Sequence, residues 1–367
     1  DMKVLPLHLA ASQKKTQSLK TLLDSGANPE LCDQLGRNTL HLVIANWPSV
    51  SSNWIGPHSK FRSIMAIMQQ QAEDCLHVLC EHGVNLNARL QSHRQQSALH
   101  LAVAHQAPSA IAILASRGAS INATDHFGMT PLHMAAGTLQ TEITSCLIQQ
   151  GADVNRVVRQ SGNSALHLAV QAATKKFCKT QDTDLSCVEE LLVGGASPNV
   201  KNAAGCTPLH EACLGGREEV VDRLLQHGAD LNKRTHLGEN CLFLFLSQTS
   251  NLKSTGLLGK LLGLTSPLSV VDAKGNLPHV LKLPRYTTQK DQLVRLAQQP
   301  RDLLGICKVH MHQHYNESSR TFLKDRLPEK LYNFVFQQWD CPLDVELNET
   351  HETEEFVPLD FAPPLPY

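Results

Sequence analysis

One short string recurs through most of this chain. "LPLHLAA" begins at Leu5, "NTLHLVI" at Asn38, "SALHLAV" at Ser97, "TPLHMAA" at Thr130, "SALHLAV" at Ser164 and "TPLHEAC" at Thr207, and a worn copy, "NCLFLFL", begins at Asn240. The histidines stand at 8, 41, 100, 133, 167 and 210, with Phe243 in the next slot. Four of the six intervals are 33 or 34 residues; the other two are 59 and 43. A period of this size restricts the fold to a repeat array, because one such unit cannot bury its own apolar face and must stack on neighbours. The two long intervals predict insertions inside single units.

Each unit carries a second signature. "LLDSGANP", "LCEHGVNL", "LASRGASI", "LIQQGADV", "LVGGASP" and "LLQHGADL" place a glycine just past a leucine-rich segment. Glycine there admits the left-handed conformation that ends a helix. Thr130–Pro131 and Thr207–Pro208 mark the opposite end, with threonine as cap and proline at the first helical position, where its missing N–H costs nothing. Each unit therefore reads as a short helix, a turn, a longer helix and an extended loop.

These strings, the glycine turn and the period resemble the ankyrin repeat family over about residues 1–240, and a decayed eighth unit, "DAKGNLPHVL", extends the resemblance to about 285. The resemblance implies a solenoid with a protein-binding face and no chemistry of its own. It also implies that the histidine in each string bonds the backbone of an adjoining loop. Successive units hold these rings about one layer apart, too far to share a metal ion.

The first insertion, "WPSVSSNWIGPHSKFRSIMAIMQQQA", begins as a loop and continues helically. Phe61, Ile64, Met65, Met68, Ala72, Cys75, Leu76 and Leu79 recur at three and four residues, which predicts a lengthened second helix. Trp47 and Trp54 are candidate substrate-binding anchors on a protrusion; the competing reading folds the segment back and hides both rings. The second insertion, "TKKFCKTQDTDLS" (174–186), is polar and reads as a loop, with interface use as a guess.

Past the repeats the pattern changes. In "PRDLLGICKVHMHQHY", Leu303, Cys307, Met311 and Tyr315 recur every four residues behind Pro300, and Leu304 and Ile306 widen the apolar surface. A polar turn leads to "LKDRLPEKLYNFVFQQW", where Pro328 opens another helix and Leu331, Phe334 and Val335 fall at i, i+3 and i+4. This order resembles a SOCS box, as in the ankyrin repeat and SOCS box family. Pro300, Arg301, Leu303, Cys307 and Lys308 match its first element; Leu327, Pro328, Leu331, Phe334 and Val335 match its second. The resemblance implies that Pro300, Leu303, Leu304, Cys307 and Met311 dock elongin B/C. The second group implies a cullin, and the whole the substrate-recognition subunit of a ubiquitin ligase. The second element usually carries two Leu-Pro pairs and here has one, which puts the cullin in question. The alternative is a scaffold whose last helices only cap the solenoid.

The expected architecture is thus all-α: an ankyrin-repeat solenoid over 1–298, a SOCS-box-like module of three short helices over 299–341, and an acidic, Pro-rich tail without a fold over 342–367. The tail's "PPLP" (363–366) suits a WW or SH3 domain, or serves only as a solubilising end. Asn155 and Asn232, in "LIQQGADVN" and "LLQHGADLN", resemble ankyrin asparagines modified by an asparaginyl hydroxylase; the plainer reading is loop hydrogen bonding.

Other classes are not expected. With 33 Lys and Arg against 34 Asp and Glu, the charge balance predicts no nucleic-acid or membrane partner, and the longest strongly apolar run, "CLFLFL", is too short to span a bilayer. Eleven cysteines without a CxxC pair fit neither a disulfide framework nor a zinc module; they suggest reduced thiols in the cytoplasm or nucleus. His310 and His314 have i, i+4 spacing, but no glutamate stands between them and no third ligand is evident, so no metal is expected. "GLLGKLLG" (256–263) lacks the Ser or Thr of a phosphate loop after Lys260. No catalytic set and no cofactor are expected. The chain opens inside a periodic element, so a preceding segment is expected in the natural protein.

Overall fold

The computed structural model describes residues 5–48, 60–176, 185–299, 308, 311 and 323–336. Helix pairs follow one another down the chain. They are α1 (Pro6–Ser12) with α2 (Thr16–Asp24), α3 (Thr39–Ala45) with α4 (Lys60–Glu81), and α5 (Ala98–Ala104) with α6 (Pro108–Ser116). Next come α7 (Pro131–Gly137) with α8 (Thr141–Gln149), α9 (Ala165–Lys176) with α10 (Ser186–Val193), and α11 (Pro208–Leu214) with α12 (Glu218–Gln226). The seventh pair, α13 (Cys241–Leu246) and α14 (Thr255–Leu264), is joined by a 3-10 turn at Thr249–Lys253. In the eighth unit a 3-10 turn at His279–Lys282 replaces the first helix, and α15 (Thr287–Gln298) follows. After that the described residues include α16 (Glu329–Phe336).

First helices are seven residues long in most units because they are closed at both ends by sequence. Asn38, Ser97, Thr130 and Thr207 are extended N-caps, and α2, α4, α6, α8, α10 and α12 each end against a glycine. Gly26, Gly83, Gly118, Gly151, Gly195 and Gly228 all adopt positive φ, as the sequence pattern requires. First helices stack on first helices and second on second: α7 meets α9, α11 meets α13, and α8 meets α10. The result is one continuous apolar core running from Leu7 to Leu293, with Leu40, Leu76, Ile111, Leu147, Leu166 and Leu224 completely buried. Among the described residues there is no strand; isolated bridges pair Arg89 with Ser97 and Val157 with Ser164 within loops.

The lengthened second helix is present. α4 has 22 residues where α2, α8 and α12 have nine. Its apolar stripe is not uniformly buried. Ala72, Cys75, Leu76 and Leu79 are fully enclosed, but Ile64 is 54% exposed and Met65 and Met68 are half-buried, because the first turns run past the neighbouring helices; Ile67, off the stripe, is exposed too. In the second insertion, α9 continues as helix through Lys176, so Thr174–Lys176 are not loop; residues 177–184 lie outside the described residues.

Candidate interaction surface

The loops between units are held by side chains that the repeat places in register. His133 lies at the third position of α7. Its Nδ1 accepts the backbone N–H of Thr130 at 3.1 Å and faces Thr130 Oγ1 at 2.8 Å, while Nε2 meets the carbonyl of Arg156 at 3.0 Å. A carbonyl only accepts, so Nε2 carries the proton; Nδ1 faces an N–H and is bare. The ring is a neutral bridge between a helix cap and the next loop. His100 repeats it onto Met129, His167 onto Cys206 and His210 onto Lys233, each at 3.0 Å, and His41 reaches Ala88 at 3.2 Å. Burial holds all five rings below the usual imidazole range, His133 and His210 at about 4. The worn seventh copy has Phe243 in this slot. There Asn240 supplies both functions: its Oδ1 accepts from Phe243 N at 2.8 Å and its Nδ2 donates to Ser269 O at 2.8 Å.

A second ladder runs along the glycine turns. Asn87 accepts from Ser120 N, Asn122 from Asp153 N, Asn155 from Ser197 N, Asn199 from Asp230 N and Asn232 from Ser266 N, at 2.7–2.9 Å. In the first unit Glu30 fills the slot and accepts from Asn85 N at 2.6 Å. Asn155 and Asn232 thus hold the next repeat's backbone, and Asn155 also donates to Gly195 O at 3.0 Å.

The loop tips form a third contact line. Asp33, Asp125 and Asp272 each turn a carboxylate oxygen inward onto two backbone N–H groups of their own loop; Asn202 and Thr235 do the same with neutral oxygens. Successive tips then bond one another: His126 N to Arg94 O, Ala203 N to Ser161 O, His236 N to Ala204 O and Ala273 N to Leu237 O, at 2.9–3.1 Å. At Gly162, φ is +67° and an added Cβ would lie 2.6 Å from Ala203 N, so only glycine lets these tips approach.

Lys260, in the glycine-rich segment of α14, binds Glu218 at 3.0 Å and Asp222 at 2.6 Å across the layer to α12. It is a clamp between repeats.

Of the residues singled out by sequence, Trp47 is the clearest correction. It is 6% exposed and packs in the continuous core, so it is not a surface anchor; the chain turns in at the end of α3 and hides the ring. Trp54 lies outside the described residues, as do Pro300, Leu303, Leu304, Cys307, His310, His314 and the tail with its PPLP segment. Met311 and Lys308 are helical and half-buried. Leu327 is half-buried, Pro328 is exposed immediately before α16, and Val335 is 5% exposed; Leu331 and Phe334 sit on the same helix. The Asn ladder beyond Asn155 and Asn232 escaped sequence reasoning, although an Asn four residues after five of the six turn glycines was its signal.

Comparison with known proteins agrees with this geometry. The family described as Ankyrin repeats (3 copies) matches residues 118–180 and 177–252, and the single Ankyrin repeat matches 5–34. The chain is 32% identical over 166 residues to the nuclear factor NF-kappa-B p105 subunit of Gallus gallus, covering 42% of this chain and 17% of that protein. It is 25% identical over 272 residues to ankyrin repeat and SOCS box protein 16 of Mus musculus, covering 63% of this chain and 59% of that protein. The chain therefore spans less than two thirds of these curated relatives. The solved ankyrin repeat domain of Bcl-3 superposes with a TM-score of 0.53 at 24% identity, covering 66% of this chain and 95% of that one, a likeness of fold. With the histidine caps, glycine turns and stacked helix pairs, these matches make the repeated part of the chain an ankyrin-repeat solenoid.

Proposed function

We propose that the chain is a protein-interaction adaptor, the substrate-recognition subunit of an elongin–cullin ubiquitin ligase. The repeats hold a protein substrate; residues 299–341 dock elongin B/C through Pro300, Leu303, Leu304, Cys307 and Met311, and a cullin through Leu327, Pro328, Leu331, Phe334 and Val335. The observation that carries this reading is the order of parts. An ankyrin solenoid gives way to a Pro-led helix, α16, that follows the Pro-Arg-x-Leu and Leu-Pro elements of the sequence. Similarity to an ankyrin repeat and SOCS box protein supports it. Such an adaptor works where cysteines stay reduced, in the cytoplasm or nucleus. Its chemistry belongs to the ligase partners.

The burial of Val335 also favours a second reading, an ankyrin scaffold whose final helices cap the stack. Size-exclusion chromatography with purified elongin B/C separates the two. The adaptor co-elutes, and Leu303→Ala with Cys307→Ala abolishes co-elution while leaving the melting temperature nearly unchanged. Under the cap reading, the wild type does not co-elute and the double variant loses about 2–5 kcal/mol of stability, as core truncations do.

A further inference from the structure

The loop tips differ from the rest of the surface in how they sort charge. We infer that the five successive loops between the second and seventh repeats form a cationic edge that binds an extended Asp/Glu-rich segment of a protein partner. This rests on the reading of the repeats as a protein-binding surface and names the class of partner.

Arg89, Arg156, Arg159 and Lys201 are exposed on these loops, and Lys233 and Arg234 are half-buried beside them. Among the described residues, Arg89, Arg156, Arg159 and Lys201 make no ion pair with a carboxylate; Lys233 stands 3.9 Å from Asp230. The tip carboxylates are turned away. Asp125 is 6% exposed and commits Oδ1 to Phe127 N and Met129 N at 2.9 Å each, and Glu239 accepts from Thr235 Oγ1 at 3.0 Å. Asp153 remains exposed, at the helix end of its loop rather than the tip. Lys201 Nζ donates to Arg234 O at 2.8 Å and Arg234 Nη1 to Gly238 O at 3.1 Å, so Arg89, Arg156 and Arg159 are the cations that face outward where the tip anions face inward.

Apolar surface lies between the charges. Phe127 and His126 pack ring to ring at 5.5 Å with His93 5.4 Å from His126; Val157 is 42% exposed and Leu237 61%. Tip-to-tip hydrogen bonds at three of the four steps, and the close approach of Gly128 to Arg159 at the other, fix the spacing before any partner arrives, which lowers the entropy cost of binding. Stacked helices advance about 8–10 Å per layer and an extended strand about 3.3 Å per residue, so one repeat matches about three residues of ligand. The four steps from the Arg89 loop to the Arg234 loop then accommodate roughly 10–12 residues. The fitting sequence has carboxylates recurring every third residue with an apolar side chain between.

A long polyanion fits less well. The chain's net charge is −1, so no positive field extends past the edge. A nucleic acid that runs beyond the edge gains nothing there, while a short acidic segment stays within it.

The test uses the full chain, a fluorescein-labelled (Glu-Glu-Leu)4 peptide, a (Lys-Lys-Leu)4 control and fluorescence anisotropy. The wild type is expected to bind the acidic peptide only, more weakly as salt rises. Arg156→Glu with Arg159→Glu is expected to weaken binding at least about tenfold. Lys15→Glu with Lys20→Glu makes the same charge change at exposed positions of the first repeat, away from the edge, and is expected to weaken it less than about twofold. Unchanged melting temperatures for both variants confirm folding. Equal weakening by the two variants overturns the inference, since net charge alone would then explain binding. No binding by the wild type overturns it, and so does a twelve-nucleotide oligo-dT that displaces the peptide at equal concentration. Elongin B/C co-elution is read on the same samples, so lost peptide binding with intact co-elution removes this inference and leaves the ligase reading standing.

Discussion

Two stretches of α4 obey the same sequence rule and meet opposite fates. From Ala72 to Leu79 the apolar residues recur at three and four and are completely enclosed, with α2 on one side and α6 on the other. From Ile64 to Met68 the recurrence is the same, yet Ile64 stands more than half exposed and Met65 and Met68 are only half-buried. Periodicity makes a helix amphipathic; a neighbour of matching length makes its apolar face a core. The neighbouring second helices have nine residues, so they cover only the last turns of a helix of 22.

The same contrast separates the stacked body from what projects beyond it. In the body, His41, His100, His133, His167 and His210 are neutral because burial disfavours the imidazolium and each Nε2–H has a carbonyl to bond. The largest expected effect follows from these rings. In the unfolded chain a histidine gains its proton near pH 6.5, whereas His133 and His210 in the folded chain resist until about 4. Their contribution is complete above the unfolded value and is lost as pH falls from about 6.5 towards 4, by about 3 kcal/mol per ring. Urea titrations at pH 7, 6, 5 and 4.5 should show falling stability, and His133→Gln should flatten the slope by up to about one proton. Parallel curves for the variant and the wild type would contradict the neutral bridge.

Next in size is the direct comparison within α4. Leu76→Ala should cost about 2–5 kcal/mol, because rigid layers on both sides cannot collapse into the space. An effect under about 1 kcal/mol in a chemical melt would mean that the repeats relax around the cavity. A smaller loss is expected at the turns. Asn199 accepts from Asp230 N at 2.7 Å and donates to Gly228 O at 2.9 Å, so Asn199→Ala should cost about 1–3 kcal/mol and raise amide exchange at Asp230. Unchanged exchange there would remove the ladder from the account of stacking. The smallest effect belongs to the protrusion: Ile64→Ser with Ile67→Ser should stay within about 0.5 kcal/mol of the wild type. A larger loss would mean that those turns are covered in solution.

Much of this was legible in residue order. The six histidine strings and the glycine turns placed the helix pairs, and the interval of 59 residues located the long helix. The role of histidine as a loop bridge followed from the family resemblance, and the distances agree. Trp47 was not legible. A tryptophan that opens an insertion looks the same in sequence whether it faces solvent or the end of α3, and only packing assigned it to the core. Nor was the substitution of Asn240 for the missing histidine legible, because it depends on a carbonyl 29 residues away.

The sequence by itself determined the unit: which residues cap, which turn, and which stripe is apolar. These are local properties, set by backbone conformations and hydrogen-bond capacities within one or two helical turns. Only the tertiary structure decided which stripes are buried, which carboxylates turn inward and which arginines stay exposed. Those outcomes depend on the neighbour one period away, and burial is a property of a pair of surfaces.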